Sequence, residues 1–260
     1  MIRAAGSAVV AARGIGKSFD TASATIRALE DVSLAVREGQ FVTIVGPSGC
    51  GKSTLLQVLA GLTPTTDGEV LIDDERLTGP RPDKIGMVFQ EPLLLPWKSA
   101  VENVEFPLSL QGEPAASRRE RARALLDLVG LRDFMHCYPH ELSGGMKQRV
   151  AIARGLVRNP RIVLMDEPFA ALDEQTRTRM WSELLQIWTE SRSTILFVTH
   201  GLIEAIYLSD IVLVMAARPG RIIERIEVGL PRPRTFEMVG SEALGRLRNR
   251  IWELIQEPPR

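Results

Sequence analysis

Cysteine is scarce: of 260 residues only Cys50 and Cys137 are cysteines, and they stand far apart with no CxxC or Cys/His spacing. That excludes a disulfide framework and a Cys-based zinc site, so both are expected to be reduced thiols. Long apolar runs are also missing. Stretches such as 211–217 fall far short of the roughly 18 residues that a membrane-crossing helix needs, so any role at a membrane must pass through a partner. Neither sign of charge dominates, because 32 Lys and Arg balance 32 Asp and Glu. No net field would draw the chain onto nucleic acid or anionic lipid. Residues 1–12 hold one Arg among small residues without the apolar centre of an export signal, so a cytoplasmic chain is expected. What is present, 45% hydrophobic and 25% charged residues, suits a globular protein with a sizeable core.

Strands and helices alternate along much of the sequence. Residues 41–45 are β-rich and apolar, end in a Gly-rich turn, and lead into a helix expected over 54–62, where Leu55, Leu56, Leu59 and Leu62 recur at helical spacing. Further strands are expected at 85–89, 162–165, 194–199 and 211–215, with a helix over 174–189. That alternation implies an α/β fold with a mainly parallel sheet covered on both faces. Between residues 90 and 159 the pattern changes to a proline-punctuated stretch followed by helices over 117–129 and 146–158, which looks like a helical insertion. The expected division is 1–90 for an N-terminal β part with the first portion of the core and 91–159 for the helical subdomain. Residues 160–228 then complete the core, and 229–260 form a linker and a terminal amphipathic helix.

Chemistry concentrates in a few segments. Gly46-Pro47-Ser48-Gly49-Cys50-Gly51-Lys52-Ser53, with Thr54 next, fits the phosphate-binding P-loop pattern. Its glycines let backbone N–H groups point at phosphate oxygens, and the following helix start adds its positive dipole end. Lys52 is expected to neutralise β- and γ-phosphates and Ser53 to ligate Mg²⁺. The upstream Gly14-Ile15-Gly16-Lys17-Ser18 shares the ending but has Ala11 where the first glycine belongs. Asp166 and Glu167 follow the apolar run 162–165, a strand end where ligands bind in parallel sheets. Asp166 would hold the metal shell and Glu167 would polarise the attacking water; a solvated strand end is the plainer alternative. Ser143-Gly144-Gly145 before a helix forms a second anion-binding start, or else an ordinary N-cap and turn. Trp181 and Trp188, seven apart on one helix face, suit packing.

In combination these motifs resemble the nucleotide-binding subunits of ABC transporters over roughly residues 10–225. Residues 142–146 look like that family's signature, Asp166-Glu167 like its Walker B pair and Ala171-Leu172-Asp173 like its D-loop. Gln90 matches the Q-loop glutamine, His200 the switch histidine and Phe19 the aromatic that stacks on adenine. The resemblance implies a P-loop NTPase core, an N-terminal antiparallel β part and an inserted α-helical subdomain. It also implies a head-to-tail homodimer holding two ATP and Mg²⁺, each ATP between the P-loop of one chain and Ser143–Gly145 of the other. Gln90 would bridge the metal or water to the insertion, His200 would contact the γ-phosphate and Asp173 would link the two sites. Met146 stands where Gln is usual, and Gly201 where an acidic residue is usual.

Leu94-Leu95-Pro96-Trp97, Val101-Glu102-Asn103-Val104 and Glu204-Ala205-Ile206-Tyr207 resemble the nitrate/sulfonate/taurine/bicarbonate importers. The implied partner is a separate membrane permease served by an external substrate-binding protein, with the chain peripheral on the cytoplasmic face of the inner membrane. Residues 93–97 would either line the groove for a permease helix or pack in the core. An ABC ATPase without a permease and an export-linked ATPase are the competing readings.

Overall fold

The computed structural model describes residues 8–21 and 24–256. Two sheets carry the fold. The N-terminal one is antiparallel, ordered β2-β1-β4-β5, from β1 (Ala8–Asp20), β2 (Thr25–Arg37), β4 (Asp67–Ile72) and β5 (Glu75–Arg76). The second follows the order β10-β9-β3-β8-β7-β6, from β3 (Phe41–Val45), β6 (Ile85–Val88), β7 (Ile162–Asp166), β8 (Thr194–Val198), β9 (Ile211–Ala216) and β10 (Arg221–Glu227). It is parallel except for β10, which runs antiparallel to β9 at the edge. β3, β7, β8 and β9 are buried along their whole length, which is why they read as continuous apolar runs.

Helix α1 (Lys52–Leu59) begins two residues before the expected 54 and ends three before 62. Gly51, at φ 96°, turns the chain so that Lys52 and Ser53 already form the first helical turn. Leu62 lies beyond the end and is exposed, past Gly61 at φ 72°.

Between β6 and β7 the chain forms α2 (Ala100–Ser109), α3 (Ala115–Leu128) and α4 (Gly144–Leu156). The first of these is hidden in the sequence by Pro107. That proline removes one rung of the helical ladder at about 3 kcal/mol. Val101, Val104 and Leu108 are buried in the core shared by the insertion and the sheet, at about 1.5–3 kcal/mol each, which outweighs the loss. Ser99 and Glu102 close a capping box at its start: Ser99 N–H and hydroxyl both donate to Glu102 Oε2, at 2.8 and 2.7 Å.

Beyond β7 come α5 (Glu174–Ser191), the short α6 (Leu202–Leu208) and the C-terminal α7 (Glu242–Gln256). α7 buries Leu244 and Ile251 against a separate cluster with Ala205, Ile206, Val212 and Val214. Trp181 and Trp188 pack as expected: Trp181 lies 5.5 Å from Tyr207 and Trp188 meets Phe41 edge-on at 5.8 Å. No helix among the described residues is long and apolar enough to cross a membrane.

Candidate functional site

Parallel strands deliver their C-terminal ends to one edge of the sheet, the usual ligand edge of such folds. Here that edge collects the loops after β3, β6, β7 and β8. The loop after β3 holds residues 46–51, and two of its glycines are required by space. A Cβ on Gly46 would stand 2.6 Å from the Met215 carbonyl oxygen, and one on Gly51 2.8 Å from Leu29 Cδ2. The loop is thereby wedged between β9 and β2. Lys52 Nζ, on the first turn of α1, donates to the Gly46 and Pro47 carbonyls at 3.0 Å each, so the ammonium is curled into the cradle of its own loop. Cys50 is buried beneath it, and burial pushes its thiol up while the Lys52 charge pulls the other way. Gly14–Ser18, by contrast, lie inside strand β1, where Lys17 donates to the Pro64 carbonyl; they form no loop.

Asp166 ends β7, and its Oδ1 accepts from the Ser53 hydroxyl at 3.0 Å. Burial raises the Asp166 carboxyl; Ser53 opposes that rise and the neighbouring Glu167 adds to it. Glu167 sits at φ 43°, a conformation uncommon for a residue with a side chain, and its N–H donates to the Val198 carbonyl at 2.9 Å. From there its Oε2 lies 3.1 Å from Nδ1 of His200, which follows β8. An open cleft of about 580 Å³ is lined by Ser48, Gly49, Gly51, Lys52, Ser53, Thr54, Gln90, Glu167 and His200, with Ala28 at its side. Phosphate-cradling backbone, a lysine, a hydroxyl–carboxylate pair, a glutamine, a second carboxylate and an imidazole thus meet in one place. Such a set can hold a polyphosphate and direct water at its terminal group.

The remaining expected site residues stand elsewhere. Ser143, Gly144 and Gly145 open α4 outside this cleft, with the Ser143 hydroxyl accepting from Met146 N–H at 3.3 Å. Ser143 and Gly144 are exposed, whereas the Met146 side chain packs partly against the core. Asp173 caps α5, accepting from Thr176 N–H at 2.9 Å, and that contact holds its carboxyl below the usual range. Phe19 is half-exposed on β1, paired with Ile26 and lying under Lys17 Nζ at 4.9 Å.

Several organising residues escaped the sequence reading. Gln148 of α4 donates from Nε2 to the Phe89 carbonyl at 3.1 Å, next to Gln90. Arg154 of the same helix donates to the Pro92 and Leu93 carbonyls at 2.7 and 2.8 Å. Buried Asn103 holds the next turn through Leu95, Lys98 and Ser99. Of residues 93–97, Leu93 and Trp97 are exposed while Leu94 packs on the core. Glu204, on α6, is buried beside Trp181. A charged residue between the apolar pairs Leu202-Ile203 and Ala205-Ile206 was the available signal for it.

A family profile described as ABC transporter matches residues 29–170. The chain belongs to the ABC transporter family. It is an ATP-binding subunit of that family. An uncharacterized ABC transporter ATP-binding protein of Methanocaldococcus jannaschii is 51% identical over 84% of this chain and 81% of its own length. The aliphatic sulfonates import ATP-binding protein SsuB of Bacillus cereus (strain ATCC 10987 / NRS 248) is 44% identical, covering 92% of both chains. Among solved structures, a dimeric ATP-binding cassette in a post-hydrolysis state with ADP and Pi aligns with TM-score 0.79 and 35% identity. The alignment covers 85% of this subunit and all of that chain. The subunit therefore has the P-loop NTPase fold of an ABC cassette.

Proposed function

We propose that this ABC ATP-binding subunit hydrolyses ATP as one half of a two-chain sandwich and thereby drives import of a small anion through a separate membrane permease. The observation that carries the reading is the split of the site. Lys52, Ser53, Gln90, Glu167 and His200 share one cleft, while Ser143–Gly145, a helix start suited to phosphate, lies outside it with Ser143 and Gly144 exposed. A second copy would complete the set. The neighbouring solved cassette is itself dimeric, which favours this arrangement.

Within the site, the loop cradle and Lys52 bind the β- and γ-phosphates of ATP, and Glu167 takes a proton from the attacking water. His200, 3.1 Å from Glu167, contacts the γ-phosphate side, and Phe19 stacks on the adenine. A hydroxyl and a carboxylate placed 3.0 Å apart fit a magnesium ion, which takes hard oxygens. Among the described residues no three acidic, His or Cys side chains gather into a metal cage, as suits an ion that also relies on substrate phosphates. Ser53, Asp166 and Gln90 would hold it, and its charge would offset that of the phosphates. Loss of the γ-phosphate contacts lets the two chains part, so a local charge change becomes motion of the helical insertion. Gln148 and Arg154 would carry that motion, since they join α4 to the segment after β6.

Exposed Leu93 and Trp97, held out by the Asn103 and Arg154 bonds, would dock the permease at the cytoplasmic face of the inner membrane. Small anions such as sulfonates are the proposed cargo, from the 44% identity to the sulfonate import subunit. Mild detergent extraction of the tagged chain from native membranes tests this. Co-purification of a multi-span membrane protein in fixed ratio is expected, weakened by Trp97→Ala. Recovery of the bare chain alone, with a known transporter complex surviving the same extraction, would overturn it.

A further inference from the structure

Gln90 reaches the cleft from a segment that the sheet has already released. Strand β6 ends at Val88, where its pairing with β7 stops, so the Phe89 carbonyl lies beyond the ladder. Gln90 itself is exposed and lines the cleft, and its direction is set by the backbone that precedes it. The Phe89 carbonyl and the Gln90 N–H belong to one planar peptide unit. Whatever grips that oxygen therefore sets the plane from which Gln90 departs.

Gln148 grips it, donating from Nε2 at 3.1 Å. This side chain is only 1% exposed and stands on the second turn of α4, whose N-cap is Ser143. A carbonyl can only accept, which fixes the amide: Nε2 faces Phe89, and Oε1 is left buried without a partner. Buried polar atoms are nearly always paired, and a methionine would fill the same place with no atom unmet. What the amide supplies in exchange for that unmet oxygen is the bond to Phe89. Further along the same helix, Arg154 donates to the Pro92 and Leu93 carbonyls at 2.7 and 2.8 Å. Segment 89–93 is thus fastened to α4 at both ends, with Gln90 between the two fastenings.

We propose that Gln148 is a positioning residue for Gln90, acting through the Phe89 peptide to aim the Gln90 side chain at the metal position beside Ser53 and Asp166. The inference rests on the reading of Gln90 as a magnesium ligand. Because Gln148 belongs to α4, a shift of that helix carries Gln90 with it.

Titrations of the full chain with a fluorescent ATP analogue, in magnesium and in EDTA, test the proposal. Gln148→Met, close in volume but without the N–H, is expected to keep the affinity measured in EDTA. The gain on adding magnesium should shrink by roughly 3- to 10-fold, the worth of the one contact that Gln90 makes when correctly placed. kcat for ATP should fall on the order of 10-fold, the scale on which misplaced groups act. In a Gln90→Ala background, Gln148→Met should reduce the magnesium gain no further. An undiminished magnesium gain in Gln148→Met would overturn the proposal, as would an equal loss in the Gln90→Ala background. Affinity lowered by the same factor in EDTA and in magnesium would also overturn it, since a merely structural prop acts on both. Gln148→Glu, of the same shape but with an oxygen in place of the donor, decides if the methionine variant fails to fold. An undiminished gain in Gln90→Ala alone would remove the reading of Gln90 as a ligand, and that single variant separates this failure from failure of Gln148 to position it.

Discussion

The Ser53 hydroxyl donates to Asp166 Oδ1 across 3.0 Å, joining residues 113 positions apart. One begins helix α1 and the other ends strand β7, so the pair exists only because β3 and β7 run parallel on either side of β8. Two hard oxygens side by side suit magnesium, and Ser53→Ala removes one of them. In that variant the gain in ATP affinity on adding magnesium should shrink by roughly tenfold, the worth of a charge-assisted contact of about 1.5 kcal/mol. Titration of a fluorescent ATP analogue with and without EDTA checks this, and an undiminished magnesium effect would take Ser53 out of the metal shell.

Glu167→Gln keeps the shape of the side chain but loses the base. Turnover should drop by roughly 10² to 10⁴-fold while ATP binding persists. Because ATP then acts as glue without being consumed, this variant should run as a dimer in size exclusion when ATP is present. Adding Ser143→Arg to the same chain places a bulky cation where the partner's phosphates would sit on the exposed start of α4. That double variant should bind ATP and stay monomeric. A dimer in the double variant would mean that Ser143 faces no second nucleotide.

How far the sequence alone reaches can be seen in three segments. The loop at 46–53 was legible because phosphate binding needs glycines at fixed spacing, and space at Gly46 and Gly51 leaves no other choice. The strands β3, β7, β8 and β9 were legible because burial on both faces imposes unbroken apolar runs. Helix α2 was not, since its signal was masked by Pro107 and its stability comes from tertiary burial of Val101, Val104 and Leu108. Nor was the Glu204–Trp181 pair: its members come from α6 and α5, and a hydrogen bond between elements leaves no periodic trace. The expected site residues divide the same way. Those at strand ends converge on one cleft, and Ser143, Asp173 and Phe19 stand outside it, because their proposed partners are a second chain and a nucleotide.

Arg234 is the buried keystone of the segment after β10. Its guanidinium donates to the carbonyls of Ile206, Tyr207, Ser209, Leu230 and Pro231, between 2.7 and 3.3 Å. Desolvation pulls it down to about 10, with the nearby Arg232 charge adding to the fall. Three of these carbonyls belong to the C-terminal end of α6, whose last groups have no helical partner. Arg234→Met fills similar volume and leaves those oxygens unpaired, at a cost of about 3 kcal/mol. Arg234→Lys, without the planar fork, should recover little of it. Urea unfolding midpoints of the three proteins measure this directly, and equal midpoints would contradict the capping role.

Glu204 makes stability depend on pH in a direction that can be worked out. Burial raises its carboxyl, opposed by the nearby Thr199 hydroxyl, by the hydrogen bond from Trp181 and by the charges of Arg177 and His200, while Glu174 and Glu167 face the same cavity as Glu204. Its folded pKa thus lies above its unfolded one, near 4.5. The folded state binds the proton more tightly, so the contribution of this residue is complete below the unfolded value and fades as pH climbs through the folded one. Glu204→Gln stays neutral throughout and carries no such loss. The melting temperature of the glutamine variant minus that of the parent should therefore rise as pH climbs above about 4.5, then level off once the parent's carboxylate is fully ionised. Thermal melts at half-unit pH steps give the curve. A difference that stays flat across that window would mean that Glu204 is held as a carboxylate by its donors at all these pH values, and a difference that falls would mean that Arg177 and His200 outweigh the burial.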